Sequence, residues 1–228
     1  MKKTNKWLMA AFAACVLLTG CTSTMISTGG TAGTSDASDT SKTEETAAEE
    51  SSTEEGDNTM SETSNSQVTA VIDIKDYGTI TVALDKSAAP ETVENFVSLA
   101  QSGFYDGLTF HRIMEGFMMQ GGDPTGTGMG GSDKQIKGEF SANGVDNPLS
   151  HTRGTISMAR SQDMNSASSQ FFICHQNALF LDGQYAAFGQ VTDGMDVVDR
   201  VCTEAEPVDD NGTIPAENQP VINSIKIQ

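Results

Sequence analysis

Phe110-His111-Arg112-Ile113-Met114-Glu115-Gly116-Phe117-Met118-Met119-Gln120-Gly121-Gly122-Asp123-Pro124 holds two short apolar runs, parted by Glu-Gly and ended by paired glycines. Runs this short, bounded by turn residues, read as strands. The stretch also places one cation, one amide and several large apolar side chains within ten positions. Arg112, Phe117, Met118 and Gln120 would form a greasy cleft with a small polar edge. Such a cleft suits an uncharged, apolar peptide segment better than a phosphate or a sugar.

Working outward, further short apolar runs occur at residues 154–159, 170–174 and 185–191, separated by Gly, Asn and Asp. Upstream, Val68, Ala70, Ile72 and Ile74 alternate with Thr69, Val71, Asp73 and Lys75, the period of a half-buried strand. Asp76-Tyr77-Gly78 supplies a turn, and residues 79–84 return as the second arm of a hairpin. The period then switches. Pro90 opens a segment in which Val93, Phe96, Val97 and Ala100 share one helical face, and Gly103 stands where a C-terminal cap is expected. A short helix is predicted over 194–202, with Met195, Val198 and Val201 inward, and residues 221–227 alternate again as a last strand. Many short strands with two helices describe an all-β barrel or sandwich whose open ends the helices cover. No internal repeat is evident.

The N-terminus has a different character. Lys2, Lys3 and Lys6 precede an apolar run at 7–18, succeeded by Leu18-Thr19-Gly20-Cys21. A basic head, a short apolar core and small residues before a cut site describe a secretory signal. The run is shorter than the roughly 20 residues a bilayer span needs. Its last four residues resemble a bacterial lipobox, in which cleavage falls before the cysteine and Cys21 carries the lipids. An ordinary signal peptide with an incidental cysteine is the alternative; the order Leu, small residue, Gly, Cys favours the lipobox. From 22 to 67 the chain is Ser, Thr, Gly, Ala, Asp and Glu, with ten acids against Lys42. Such a segment cannot bury enough surface to offset its conformational entropy, and self-repulsion extends it. A membrane-to-domain spacer is the favoured reading over an acidic interaction tail. The expected organisation is therefore a lipoprotein signal peptide (1–20), a lipidated Cys21 with a disordered acidic linker (21–67) and one folded domain (68–228). Of the formal net charge of −18, the folded part carries −12. A domain this acidic repels nucleic acid and anionic lipid surfaces, so neither is a natural partner.

With Cys15 in the signal and Cys21 lipidated, Cys174 and Cys202 remain. Outside the cytoplasm they could pair, but Cys174 sits in an apolar run, and two buried free thiols is the preferred reading. His111, His151 and His175 lack the close spacing of zinc sites, so no metal is expected; His111 reads as a strand residue hydrogen-bonded within the barrel. Gly126-Thr127-Gly128-Met129-Gly130-Gly131 matches G-x-G-x-x-G in letters, but residues 132–138 are too few and too polar for the helix a dinucleotide site needs. The motif reads as a loop near the groove, and no cofactor is expected.

Several motifs occur together and in order: Phe110-His111-Arg112, Gly116-Phe117-Met118, Gln120-Gly121-Gly122-Asp123, Gly154-Thr155-Ile156-Ser157-Met158-Ala159, Ser169-Gln170-Phe171-Phe172-Ile173, Leu181-Asp182-Gly183 and Phe188-Gly189. From about Val68 to the C-terminus the chain resembles the cyclophilin family of peptidyl-prolyl isomerases. Lys137-Gly138-Glu139-Phe140, Asn143-Gly144 and His151-Thr152-Arg153-Gly154 resemble its bacterial branch. The resemblance implies an all-β fold with minor helix, a closed eight-stranded antiparallel barrel capped by two helices. It implies rotation about X–Pro bonds, with proline-containing unfolded or partly folded exported polypeptides as partners. Through the lipid anchor the membrane is a further partner, in an extracytoplasmic location, and the protein is expected to be a monomer. A non-catalytic module that binds proline peptides as a chaperone or adhesion element is the competing class.

By the same resemblance, Arg112 is the catalytic donor. Phe117, Met118, Phe172 and Leu181 match the proline pocket, and Gln120, Ala159, Arg160 and Gln170 match positions that hold the peptide backbone. Eukaryotic members carry Trp where this chain has Phe180, His where it has Tyr185 and Asn where it has Arg160. Phe180 keeps an aromatic wall without the indole N–H that takes part in cyclosporin binding, which implies weak inhibition by that drug. Tyr185 keeps an aromatic edge with a donor. Arg160 adds a second charge near the groove, which would favour acidic or polar residues upstream of the proline.

Overall fold

Alternation sets the first hairpin. In the computed structural model, which describes residues 68–228, Ala70, Ile72 and Ile74 are buried along β1 (Val68–Ile74), while Val71 and Asp73 between them are half-buried. β2 (Gly78–Leu84) pairs with β1 antiparallel from Val68–Leu84 to Ile74–Gly78. The expected signal sequence, Cys21 and the acidic linker lie outside the described residues.

Helix α1 (Pro90–Gln101) starts with Pro90 in its first turn, where a missing N–H costs nothing. It buries Val93, Phe96 and Ala100 as the period required, and Thr92 and Asn95 with them. Its N-terminus has no cap of its own. The buried Glu139, forty-seven residues on, supplies one: its carboxylate accepts from the N–H groups of Glu91 (3.1 Å) and Thr92 (2.8 Å), satisfying free donors at the positive end of the helix. At the other end Ser102 is the C-cap and Gly103 comes next with φ +73°. Gly103 donates to the carbonyl of Ala100 and Phe104 to that of Leu99, both at 3.0 Å. That pattern needs a left-handed residue, which glycine adopts without strain.

The remaining strands are β3 (Thr109–Met114), β4 (Met118–Asp123), β5 (Thr155–Met158), β6 (Phe171–Cys174), β7 (Ala187–Asp193) and β8 (Ile222–Ile227); helix α2 (Met195–Glu204) lies between the last two. All eight strands join one sheet in the order β3-β4-β6-β5-β7-β2-β1-β8. Closure is where the expectation fails: the sheet is a curled half-barrel, not a closed barrel. Its end strands meet only around the Thr109–Val221 bridge, where Phe110 N–H donates to Pro220 O at 2.9 Å. Further along β3, Ile113 N–H donates to Gly212 O (2.8 Å) and Ile214 N–H donates to His111 O (3.0 Å). The segment 205–221 thus covers the edge that β8 would need, a covering that also protects an otherwise open strand edge.

Two apolar clusters result. In the larger, the Phe96 ring lies 5.3 Å from Tyr105, 5.5 Å from Phe171 and 5.2 Å from Phe188. Each such buried side chain contributes about 1.5–3 kcal/mol. The smaller comprises Met118, Phe172, Cys174 and Ala178, with Phe117, Leu181 and Tyr185 packed against it. Cys174 and Cys202 are both buried and free.

Candidate active site

A period of two cannot put both Phe110 and Ile113 in the core, yet both are buried. A β-bulge resolves the conflict. Phe110 pairs with Gly121 and Arg112 with Gln120, which leaves His111 as an extra residue in β3. The bulge re-aims the strand, so His111 and Arg112 both line a groove of about 350 Å³. Across the sheet the register continues from Arg112 to Gln120, from Gln120 to Phe172, and from Phe172 to Ser157.

The groove has an apolar floor. Met118 and Phe172 are 1% and 5% exposed, so what they present is a closed surface. Phe117, Ala159, Leu181 and Tyr185 complete the walls. At one edge the half-buried Arg112 is held from three sides: Nε donates to Asn211 O (2.7 Å), Nη1 to Gln120 Oε1 (3.2 Å) and Nη2 approaches Met114 Sδ (3.3 Å). Burial lowers its pKa from the usual value, opposed by Tyr185 and Asp209; a guanidinium remains charged nonetheless.

Of the residues singled out in sequence, Arg112, Phe117, Met118, Gln120, Ala159, Arg160, Phe172, Leu181 and Tyr185 all border this groove. Gln170 and Phe180 do not. Gln170 lines a second groove of about 440 Å³ beside the first, shared with Gln120, Ala159 and Arg160. Phe180 is 66% exposed and tilts over the Phe117 ring at 5.5 Å. Arg160 stands between the grooves. Its guanidinium lies 4.7 Å from the Tyr185 ring and 5.2 Å from that of Phe140, and donates to Gln184 O (3.0 Å) and Ser161 O (2.8 Å). Two of its five N–H donors are therefore engaged within the protein.

Sequence reasoning missed His111 and Asn211 as groove residues, while Gly128 borders the groove from the glycine run read as a loop near it. The reading of His111 as a hydrogen-bonded strand residue is corrected: its ring is 5% exposed and neither nitrogen has a partner among the protein groups. Burial lowers its pKa, with Asp123 opposing and Arg112 reinforcing. The spacing of Phe110 and Ile113 was the available signal for the bulge that turns His111 outward.

The glycine motif at 126–131 also finds its use. Asp123, 1% exposed, is ringed by donors: Thr125 N–H (2.7 Å) and hydroxyl (2.9 Å) on Oδ1, and the N–H groups of Thr127 (3.1 Å), Gly128 (2.6 Å) and Gly130 (3.1 Å) on Oδ2. Backbone amides of the kind that cradle a phosphate here cradle a carboxylate of the chain itself. A Cβ on Gly130 would collide with that carboxylate.

Comparison with known proteins agrees with this architecture. The family described as cyclophilin type peptidyl-prolyl cis-trans isomerase/CLD matches residues 68–227, the whole described domain but its last residue. The chain belongs to the cyclophilin family. Its activity is peptidyl-prolyl cis-trans isomerisation. Among curated cyclophilin relatives, a peptidyl-prolyl cis-trans isomerase of Synechococcus elongatus is 52% identical over 116 residues, 51% of this chain and 75% of that protein. Isomerase A of Dickeya dadantii is 43% identical over 162 residues, 66% of this chain and 80% of its own. Among solved structures, a cyclophilin-type isomerase of Cryptosporidium parvum, crystallised in the presence of the dipeptide Ala-Pro, superposes with a TM-score of 0.62 at 32% identity. That match covers 70% of this chain and 98% of the other.

Proposed function

We propose that this cyclophilin isomerises X–Pro bonds of exported polypeptides from a lipid anchor at Cys21, with Arg112 as the electrostatic element of catalysis. The bond resists rotation with a barrier of about 18–20 kcal/mol, and uncatalysed exchange takes tens to hundreds of seconds. No covalent bond to the substrate has to form. In the twisted state the prolyl nitrogen becomes pyramidal and its lone pair is freed. A fixed donor aimed at that nitrogen binds the twisted form better than either planar isomer, the condition for catalysis.

One observation carries the reading: a guanidinium anchored by Asn211 and Gln120 borders a floor of Met118 and Phe172 that can seat a proline ring. Phe117, Leu181 and Tyr185 would close around the ring, with Phe180 extending that wall beyond the groove over Phe117; Gln120, Ala159 and Arg160 would meet the flanking peptide, with Gln170 behind Gln120. A hydrogen bond to a charged donor contributes about 1.5–3 kcal/mol, which at about 1.4 kcal/mol per decade is roughly ten- to a hundredfold in rate. Arg112 therefore supplies part of the acceleration, and seating of the proline in the dry floor supplies the rest. The basic head, the apolar run and Leu18-Thr19-Gly20-Cys21 support export and anchoring, and the acidic linker would let the domain sweep the space beside the membrane. Slow X–Pro exchange limits folding, so newly exported chains are the substrates such a placement serves. A protease-coupled assay of proline exchange on a short peptide tests the catalytic assignment. Arg112→Ala should fall about ten- to a hundredfold below wild type; equal rates would refute it.

A further inference from the structure

Both N–H donors of the Gln170 side-chain amide are spent within the protein, and its oxygen already accepts from Gln120. Its Oε1 accepts from Gln120 Nε2 at 2.9 Å, and its Nε2 donates to Gly130 O at 2.7 Å and Gly128 O at 3.1 Å. The polarity of this series is fixed from both ends. Arg112 can only donate, so the oxygen of Gln120 must face it. The amino group of Gln120 then faces Gln170, whose oxygen accepts it. The far end agrees, because the carbonyls of Gly128 and Gly130 can only accept. Those two glycines are in turn fixed by their own N–H groups, both of which donate to Asp123 Oδ2.

We propose that Gln170 and Asp123 are positioning residues for Arg112. A buried carboxylate organises the glycine loop, the loop carbonyls orient Gln170, Gln170 orients Gln120, and Gln120 holds one edge of the guanidinium. Reversing either amide would set its NH2 against a donor and free Arg112 to swing away from the groove. The glycines are part of the device, since the carboxylate leaves no room for a side chain at Gly130. The inference rests on the assignment of Arg112 as the catalytic donor.

The test is a double-mutant cycle, which isolates coupling between groups in one network. Gln170→Glu keeps the oxygen that accepts from Gln120 and replaces the donor with an acceptor facing two carbonyls. It should lower kcat about tenfold with KM within about twofold of wild type, as expected for an interaction used in the transition state. Gln120→Ala should show a similar loss, and the double variant should be no slower than Gln120→Ala alone. Asp123→Asn, if it folds, should show the same pattern, and Gln170→Glu decides the matter if it does not. Losses that multiply in the double variant, a wild-type rate for Gln170→Glu, or a change in KM alone would each overturn the relay. The last would instead make Gln170 a direct peptide contact. Arg112→Ala, measured beside them, keeps the two readings apart: wild-type activity there would overturn the role of Arg112 itself.

Discussion

The His151 ring lies 5.9 Å behind the ring of Phe172 and nearly parallel to it, at 17°. Both its nitrogens are engaged. Nδ1 lies 2.8 Å from Asp182 Oδ1 and Nε2 lies 2.9 Å from Ser157 Oγ. A carboxylate only accepts, so Nδ1 carries the proton and the Ser157 hydroxyl donates to Nε2. The set has the composition of a Ser-His-Asp relay, but Ser157 and His151 are both 0% exposed, and no substrate can reach the hydroxyl. Its work is structural. Ser157 pairs with Phe172 in the sheet, and Asp182 directly succeeds Leu181, so His151 ties the floor of the groove to its wall.

His151→Ala should therefore destabilise the domain by about 2–4 kcal/mol, because it opens a cavity and leaves the buried Ser157 hydroxyl without its acceptor. Urea unfolding of the isolated variant and wild type measures this. A loss below about 0.5 kcal/mol, the ordinary surface effect, would remove His151 from the support of the groove.

The same residue sets a pH dependence. Burial lowers the pKa of His151, against the pull of Asp182, and burial lowers that of His111. The folded protein thus holds these protons less tightly than the unfolded chain, whose histidines titrate near 6.5. Their contribution is full above about pH 6.5 and is lost as pH falls through the lower folded values. The carboxylates of Asp123, Asp182 and Asp199 are shifted below their usual range, so their contribution is lost only under more acidic conditions. Unfolding free energy should fall between pH 7.5 and 5.5, and by less in His151→Gln. An equal fall in both proteins would assign the effect elsewhere.

Burial pushes the thiols of Cys174 and Cys202 up to about 12. Only a thiolate reacts readily, so neither should be alkylated by iodoacetamide at pH 8 in the folded protein, and both should be in denaturant. Mass spectrometry counts the adducts, and rapid modification of the native protein would contradict the burial.

Much of this was readable because it depends on local pattern. The inward set of β1, the helix opened by Pro90 and ended at Gly103, and the apolar positions Phe117, Met118 and Phe172 each come from a short period or a turn residue. What escaped depends on distance along the chain. Glu139 caps α1 from forty-seven positions away, the segment 205–221 competes with β8 for the β3 edge, and Gln170 meets Gln120 from fifty positions away. His111 lay between the two cases. A period-two reading of residues 110–113 is self-consistent only with a bulge, and the bulge alone puts the ring at the groove.

The proposed anchor is read from residues 18–21, and its test is chemical. The mature membrane-extracted chain should begin at Cys21 with a diacylglyceryl mass on the cysteine. Cys21→Ser should release the domain from the membrane fraction with its isomerase rate unchanged, since the described domain starts at Val68. A mature chain starting at any other residue would refute the lipobox reading.

Phe180 makes the last prediction. Its ring is two-thirds exposed and packs over Phe117, so it extends the apolar wall toward solvent while offering no donor. An indole in the same place would keep the stacked face and add an N–H at the rim. The resemblance ties that donor to cyclosporin binding, so wild-type protein should be inhibited weakly. Phe180→Trp should gain affinity by about two- to tenfold, the size of one net hydrogen bond of about 0.5–1.5 kcal/mol. Isomerase activity on a short peptide should change by less than about threefold, because Phe180 lies outside the floor that seats the proline. Inhibition titrations of both proteins decide it, and nanomolar inhibition of the wild type would show that the donor is dispensable.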